Sequence, residues 1–541
     1  MIYTIISTSI RSYSQSVNEP SYHTVYSFLA RLAQKGVINL NDEILPLSKD
    51  YIYNKLDELS KKITDLTPLE REELSFYLKE YTLWWRSDPK SGFEGVYKSF
   101  LQSGIGDRFR PFAYQDKDFT LNIQPILGIQ TESVDGYSLL KNSKGFWTYG
   151  LLGKHIGYSL DFRASSEEGR LGDYLRTFSY ETGVIGTKPN FRTFNYNEVN
   201  FQIVGNWSWG KISIGKNYMP IGYGQGGKII LSEKAPSFPL IRLDITPKDW
   251  FSFNYAHVWL NSNIIDSSSI HPTLDPSRNE YQFRDKFLAT HSITLRTKRG
   301  FSLMVGESAI YSDKLKIAYL IPISLFSAMS HYMGELVNNS ISNSSIYAQI
   351  SSRNLLRKTH IYANFFIDEL RLKQVQDDTV SSRNHTAYQF GLSIADFPIR
   401  NLELRIEYSK IQPFAYIHFI PVQSYQNNGY NLGHWIGSNA DQFYSSLEYR
   451  IKRGLSFKAL YYFIRKGSVG SGAQQVFDDR NKFPFLWGEV TNYTKLQMSL
   501  QYELIHDLFI RFGYNHSDIF NTKTNNSNLS DSVYFGLNFG F

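Results

Sequence analysis

The stretch Leu496–Leu504, LQMSLQYEL, alternates apolar and polar side chains at every position. Successive side chains of an extended strand point to opposite faces, so one face of this stretch is apolar and the other is polar. The polar face carries Glu503, and a charged side chain needs water beside it. This strand therefore separates an apolar environment from an aqueous one, which is typical of a membrane β-barrel.

The same period of two recurs along the chain from Phe119 onward, and it ends in Asp531–Phe541, DSVYFGLNFGF. A final strand that ends in Phe resembles the signal read by the machinery that inserts barrels into the outer membrane. We predict an all-β transmembrane barrel of about eighteen antiparallel strands. The predicted strands lie near residues 119–131, 145–152, 156–164, 198–208, 211–218, 240–246, 250–260, 287–297, 301–310, 345–353, 359–370, 385–395, 401–410, 441–451, 455–465, 493–504, 508–516 and 531–541.

The connections between these strands alternate in length. Those after even-numbered strands are short, whereas those after odd-numbered strands span about 13 to 35 residues, as in barrels with short periplasmic turns and long outer loops. This parity places both ends of the barrel on the periplasmic side. A soluble β-sandwich or propeller gives no reason for the alternation. The short turns are 153–155, 209–210, 246–249, 297–300, 354–358, 396–400, 452–454 and 505–507.

The composition agrees with a barrel and excludes several kinds of site. Aromatic residues make up 16% of the 541 residues, and mean hydropathy is −0.33, a combination that aromatic girdles and alternating strands produce. The chain has no cysteine, which excludes disulfides, Cys-ligated zinc, iron–sulfur clusters and a Cys nucleophile. A net charge of +7 is mild for this length and gives no support for nucleic acid as a partner.

Residues 20–86 have a helical pattern instead. His23–Lys35 is amphipathic and is followed by Gly36, Ser48 can cap a second helix, and Thr67–Glu70 forms a capping box with Pro at the first helical position. An open barrel of this width would leak. We therefore predict that residues 17–110 form a small helical bundle that plugs the periplasmic end, rather than a helical domain on a linker.

The remaining boundaries follow from this assignment. Residues 111–541 form the outer-membrane barrel with long extracellular loops. Met1–Ile10 is apolar but has no positively charged start, so we interpret residues 1–16 as a remnant or truncated signal segment.

No motif in the sequence predicts catalysis. The stretch Gly222–Gly227 matches G-x-G-x-x-G, but no strand–turn–helix unit surrounds it, so we interpret it as a flexible glycine-rich outer loop. The histidines are scattered, and the acidic and basic residues of the barrel strands, such as Glu403 and Arg405, are expected to pair within the lumen. We predict no catalytic residues, no metal site, no cofactor and no enzymatic activity.

The long outer loops combine aromatic and polar residues. The apolar faces of sugar rings pack on aromatic rings, amides bond hydroxyls, and Lys and Arg attract uronate or phosphate groups. These loops therefore predict a polysaccharide-binding surface. The candidate glycan-binding residues are Tyr218, Tyr223, Lys228, Tyr416, Tyr425, Tyr430, His434, Trp435, Arg480 and Trp487.

Three segments resemble the capsule assembly Wzi family of outer-membrane proteins. They are VYSFLARLAQKGVI at 25–38, the glycine-rich stretch 215–236 that ends in SEKAP, and YQNNGYNLGHWIGSNAD at 425–441. The resemblance extends over nearly the whole chain. It implies an eighteen-stranded barrel closed by an N-terminal helical bundle. It also implies a surface lectin that tethers capsular polysaccharide and is not an enzyme.

Three functions remain as hypotheses. The first is a lectin-like protein of the Gram-negative outer membrane that binds and anchors capsular or other surface polysaccharide. The second is a gated porin or the barrel of an outer-membrane export or secretion complex, and the third is an outer-membrane hydrolase. The predicted partners are surface polysaccharide, outer-membrane lipid, the barrel-assembly machinery during biogenesis, and periplasmic or export proteins that contact the helical bundle.

Overall fold

Eighteen long strands of the described chain pair edge to edge in the computed structural model. The model describes residues 17–83, 108–115, 118–153, 155–169, 172–186, 189–190, 192–274, 279–297, 300–329, 342–369, 385–470 and 484–541. The strands are β1 (Phe119–Val134), β2 (Tyr137–Leu152), β3 (Ile156–Gly169), β4 (Thr193–Trp207), β5 (Gly210–Asn217), β6 (Phe238–Lys248), β7 (Phe251–Ile265), β8 (Phe283–Arg296), β9 (Phe301–Ser312), β10 (Ser342–Arg353), β11 (Thr359–Glu369), β12 (His385–Ala395), β13 (Leu402–Ile411), β14 (Ala440–Lys452), β15 (Leu455–Gly467), β16 (Val490–Glu503), β17 (Leu508–Asn521) and β18 (Asn526–Phe539).

Each strand runs antiparallel to its neighbour in sequence, and the last strand pairs with the first. Leu127–Val134 of β1 lies against Ser532–Phe539 of β18, and this pairing closes the barrel. The short strand Phe112–Gln115 pairs with the part of β1 that β18 does not reach. The predicted barrel of eighteen antiparallel strands is confirmed, with one short strand added at its edge.

The two faces of the wall differ in chemistry as the alternation predicts. Leu500, Phe512 and Phe535 face outward and are 41%, 52% and 53% exposed. On the inner face of the same strands, Arg511 donates to Gln501 at 2.9 Å. Trp209 and Trp250 lie exposed at the short turns, where an aromatic girdle is expected.

Two outer connections are shorter than predicted. Residues 132–144 and 517–530 were expected to be loops, but β1 and β2 are joined by Asp135-Gly136 alone, and β17 and β18 by 522–525. Both residues of the first turn have positive φ, 49° and 81°, as a tight hairpin requires. The strands extend here beyond the apolar band, where water lies on both faces and no apolar alternation is needed.

Three helices precede the barrel: α1 (Val25–Gln34), α2 (Lys49–Ser60) and α3 (Pro68–Leu83). Gly36 ends α1 with a φ of 77°, and the Ser48 hydroxyl accepts from the backbone of Tyr51. In the capping box, the Glu70 carboxylate accepts from Thr67 N at 2.9 Å, and Glu70 N donates to the Thr67 hydroxyl at 3.2 Å. No helix in the described ranges is both long and apolar enough to cross a membrane.

The helices pack against the end of the barrel that carries the short turns. Arg31 of α1 pairs with Asp396 in the turn after β12. The segment between α1 and α2 forms two salt bridges with the wall. Glu43 pairs with Arg296 at 2.8 Å, and Asp42 pairs with Arg353 at 2.7 Å. These buried pairs hold the helices to several separate strands of the wall.

Candidate functional site

The connection between β5 and β6, residues 218–237, folds into the lumen, and we call it the inward loop. It reaches the segment between α1 and α2, where Gly222 N donates to Glu43 O and Leu45 N donates to Pro220 O, both at 3.0 Å. Most of its residues are buried. The inward loop thus crosses the lumen from the outer end to the helices.

Glu407 on β13 holds the tip of the inward loop. Its carboxylate accepts from Gln225 N and from Gly226 N, each at 2.9 Å, and also from the hydroxyl of Tyr362. Glu407 is almost fully buried, so these three donors supply the hydrogen bonds that water would give an exposed carboxylate. The glycine-rich stretch is therefore not a flexible outer loop. It lies mostly buried in the lumen, and its backbone N–H groups bind the carboxylate of Glu407 on the barrel wall.

The connection between β13 and β14, residues 412–439, covers the inward loop from the outer side, and we call it the upper loop. The indole Nε1 of Trp435 donates to Gly226 O, and the hydroxyl of Tyr416 donates to Ile229 O, both at 2.7 Å. The hydroxyl of Ser232 donates back to Gly433 O at 2.6 Å. The two loops form one packed unit inside the barrel.

A polar cavity of about 500 Å³ lies between the helices and the inward loop. Its lining combines cationic and anionic side chains of the wall with tyrosines of the helices and of the inward loop. The charged lining includes Arg405, Arg450, Lys458, Glu403 and Glu448. The predicted lumen-facing charges therefore do face the lumen, where Arg405 pairs with Glu403 at 3.0 Å.

Most of the predicted glycan-binding rings pack within the two loops. Tyr416, Tyr425, Tyr430 and Trp435 belong to the apolar core of the lumen, and His434 is fully buried. The Tyr430 hydroxyl donates to Val184 O at 2.9 Å. In this arrangement these rings stabilise the loops, and their glycan-binding role stays a prediction.

The other candidates lie at separate places. Tyr223 is buried beside His360, with the Arg353 guanidinium 5.0 Å from its ring. Tyr218 donates to Glu198 at 2.7 Å, and Lys228 pairs with Glu233 at 2.9 Å. Trp487 is half-buried, and its backbone bonds the side chain of Asn439. Arg480 and the predicted signal segment 1–16 lie outside the described residues.

Burial keeps the histidines of the upper loop neutral. It lowers the pKa of His434 to about 3 and that of His418 to about 4. Burial also lowers the pKa of Lys234 to about 8, where its ammonium donates to Ser179 O and Glu181 O at 2.8 and 2.9 Å. In the part of the chain that the structure describes, no cluster of three His, Asp or Glu side chains has the geometry of a metal site.

A chain of largely buried polar groups crosses the inner wall where β16, β17, β18, β1 and β2 meet, and we call it the polar ladder. Gln497 donates to Asn515 at 3.2 Å, Asn515 donates to Ser532 at 3.0 Å, and Ser532 donates to Glu132 at 2.9 Å. Lys141 then pairs with Glu132 at 3.3 Å. The polar ladder thus presents amide, hydroxyl and charged groups in one row.

Tyr180, from the connection between β3 and β4, extends over the polar ladder. Its hydroxyl bonds Gln497, and its ring lies nearly parallel to that of Tyr462 at 6.0 Å. Tyr180 is 45% exposed. The hairpins at 135–136 and 522–525 on this side of the rim are short, so these two connections leave the ladder open to the outside.

Sequence reasoning missed the polar ladder because it looked for binding residues only in the loops. The signal was present in the strands, where the inward positions of β2 and β18 carry Ser143, Ser530 and Ser532. Such small side chains leave space within the lumen.

Residues 354–530 match the model of the family described as capsule assembly protein Wzi. The resemblance to the capsule assembly Wzi family is confirmed over these residues. The matched residues run from the turn after β10 into β18 and include the upper loop and two residues of the polar ladder, Gln497 and Asn515. The sequence matches no curated protein at a significant level.

The fold is similar to that of a solved structure from Escherichia coli, described as Wzi, an outer-membrane protein involved in group 1 capsule assembly and a carbohydrate-binding β-barrel. The two share 12% identity with a TM-score of 0.54, over 98% of this chain and 99% of that one. Pseudomonas aeruginosa OprD matches with 10% identity and a TM-score of 0.42, over 82% of this chain and 98% of its own. Acinetobacter baumannii OccAB3 matches with 11% identity and a TM-score of 0.40, over 78% and 98%.

Proposed function

We propose that this protein is a non-enzymatic outer-membrane lectin that binds and anchors capsular or other surface polysaccharide. The observation that carries the proposal is the polar ladder under Tyr180, which faces the outer mouth of a barrel whose lumen holds packed loops and helices. An aromatic face beside amides and charges fits the alternating apolar and hydroxylated faces of a sugar chain.

The family match supports the same assignment. The matching family is described by capsule assembly, and the E. coli barrel of the same fold is described as carbohydrate-binding. Neither description is that of an enzyme.

The outer membrane is the location that the fold requires. A closed barrel satisfies its backbone hydrogen bonds without a free edge, and the outward face carries an apolar band. The helices lie at the end with short turns, which is the periplasmic end in such barrels. We propose that residues 17–110 act there as the plug, and that lipid surrounds residues 111–541.

A gated porin or an export barrel is less well supported. Either would require the inward loop to leave the lumen. Its departure would break the contacts of Glu407 with the loop backbone, and undocking of the helices would also break the buried pairs of Glu43 and Asp42 with the wall. A buried charge left without its partner costs about 3–5 kcal/mol, so these contacts oppose opening.

The test is binding of the purified, detergent-solubilised protein to an array of microbial surface polysaccharides. We expect the wild-type protein to bind at least one polysaccharide. Tyr180→Ala should lower its affinity by up to about tenfold, because an aromatic contact is worth roughly 0.5–1.5 kcal/mol. Tyr281→Ala is the matched control. This tyrosine is 49% exposed on the outer hairpin between β7 and β8, outside the polar ladder. No binding by the wild type, or equal losses in both variants, would count against the proposal.

A further inference from the structure

Part of the outer connection after β9 lies on the outside of the barrel wall rather than above it. We call residues 314–329 the wall segment. In β8 and β9, the paired residues Phe287–Tyr311 and Ala289–Ala309 face outward, and they are buried under Tyr319 and Phe326 of the wall segment. The rings of Tyr311 and Tyr319 stack at 4.4 Å.

The register shows that this face is the outward one. The alternate pair, Leu288–Ile310, belongs to the core of the lumen. Further toward the short turns, the outward pair Ile293–Val305 is 47% and 49% exposed, as lipid-facing residues are. The wall segment therefore covers the same face that is bare nearer the periplasmic end.

The wall segment lies at membrane depth. Its anchor point Glu307 is in register with Ile346 of β10, which faces outward and is 48% exposed. A lipid-facing position on the next strand thus lies at the same level as the buried Glu307. The wall segment reaches down beside the barrel into the apolar band.

Beneath the wall segment is a contact between two polar side chains that could not face hydrocarbon alone. His291 lies 3.2 Å from Glu307, both on the outward face. The Glu307 carboxylate accepts from Phe326 N at 2.5 Å and from the Ser327 hydroxyl at 3.1 Å. The wall segment supplies the donors that a carboxylate on this face would otherwise lack.

The opposite side of the wall segment is apolar and bare. Ile317, Ile323 and Leu325 are 76%, 80% and 65% exposed. Residues 317–329, IAYLIPISLFSAM, contain no charged residue, whereas Asp313, Lys314 and Lys316 precede them. This order matches a chain that passes from a headgroup region into hydrocarbon.

Several backbone groups of the wall segment are bonded within protein, which hydrocarbon demands. Tyr319 N donates to Lys316 O and Ser324 N to Ile321 O, both at 3.1 Å, and Met329 N donates to Leu325 O at 2.9 Å. The Tyr255 hydroxyl donates to Tyr319 O at 2.8 Å, and Pro322 has no N–H to satisfy.

We propose that residues 317–329 are embedded in the outer leaflet, with Tyr319 and Phe326 on the barrel wall and Ile317, Ile323 and Leu325 against lipid acyl chains. The wall segment then shields the polar contact between His291 and Glu307 from lipid. This inference is independent of the proposed glycan function, because it concerns the opposite face of the wall.

The absence of native cysteine makes the test direct, because one introduced cysteine carries the only label. Ile323→Cys and Ile317→Cys are labelled with a nitroxide in the full-length protein and reconstituted into phosphatidylcholine vesicles. Electron paramagnetic resonance then measures the accessibility of each label to oxygen, which partitions into lipid, and to a water-soluble nickel chelate. Ile346→Cys is the lipid-facing reference, and Leu274→Cys, in the outer hairpin between β7 and β8, is the aqueous reference.

We expect both wall-segment labels to match the Ile346 label, with high oxygen and low nickel accessibility. Nickel accessibility equal to that of the Leu274 label would place the wall segment in water and overturn the proposal. Protection from both reagents would overturn it in favour of a protein interface, such as a second copy of the chain. Both substituted side chains are highly exposed, so the folded barrel should tolerate the changes.

Discussion

Arg108 joins carboxylates from distant parts of the chain at the closed end of the barrel. It contacts Glu19 and Asp507 at 2.5 Å each and Glu80 at 3.3 Å, all of them buried. Burial alone would raise the pKa of Glu19 and of Asp507, but the Arg108 guanidinium holds both below their usual range. One cation thus attaches the helices to the turn between β16 and β17.

We predict that Arg108→Met destabilises the docked helices by about 3–5 kcal/mol, because it removes the buried cation that Glu19, Glu80 and Asp507 share. The urea midpoint of the helical circular dichroism signal at 222 nm measures this loss while the strands stay folded. Lys61→Ala is the control, since its pair with Asp57 is largely exposed, and its midpoint should stay close to wild type. Equal midpoints for both variants would contradict the assigned role of Arg108.

His506, in the same turn, makes the stability of the docked helices depend on pH. It stacks on Phe76 of α3 at 3.7 Å, and burial lowers its pKa to about 4. The folded state therefore excludes a proton that the unfolded state binds below about pH 6.5. Stability from this residue is complete above that pH and is lost as the pH falls toward 4.

We predict that His506 alone removes about 3 kcal/mol of stability from the docked helices between about pH 6.5 and 4, from the difference between these two pKa values. His506→Gln should flatten the dependence in this window, whereas the carboxylates near Arg108 should still cause a loss at lower pH. Urea midpoints at a series of pH values measure both effects. A difference between the wild-type and His506→Gln midpoints that stays constant across this window would contradict the role of His506.

At the scale of elements, the inward loop is held by the wall through Glu407. We predict that Glu407→Ala leaves Gln225 N and Gly226 N without their partner, at a cost of about 1–3 kcal/mol for each. The loosened loop should produce current bursts in planar bilayers that the wild type does not show. Glu448→Ala, on the neighbouring strand, is the control. It removes a lumen carboxylate that pairs with Arg450, and it should produce no current bursts. Bursts from both variants would remove the special role of Glu407.

Most of the strands and helix ends are predictable from the sequence. All eighteen strands were placed, because membrane and lumen impose an apolar–polar period of two wherever the wall is embedded. The Thr67 capping box and the Gly36 stop were also predictable, since they are local hydrogen-bond and backbone requirements. The hairpin at Asp135-Gly136 was missed, although Asp-Gly is itself a turn signal.

At the scale of the molecule, the proposed binding surface is harder to predict than the barrel. Tyr416 and Trp435 have the composition of a sugar-binding loop, yet they pack against the inward loop across a long sequence separation. No local pattern distinguishes an aromatic ring that packs on another loop from one that faces solvent. The polar ladder depends on register between four strand pairs, which single-sequence reasoning does not supply.

The whole barrel is consistent with a surface anchor: helices and the inward loop occupy the lumen, and a polar and aromatic row faces its outer mouth. The most direct test is to delete the gene in the bacterium that carries it and to measure surface polysaccharide on cells and in the medium. We predict that polysaccharide moves from cells to medium at unchanged total yield, with unchanged uptake of small solutes. Full retention on the cells, together with reduced solute uptake or reduced export, would contradict the account and favour a transport barrel.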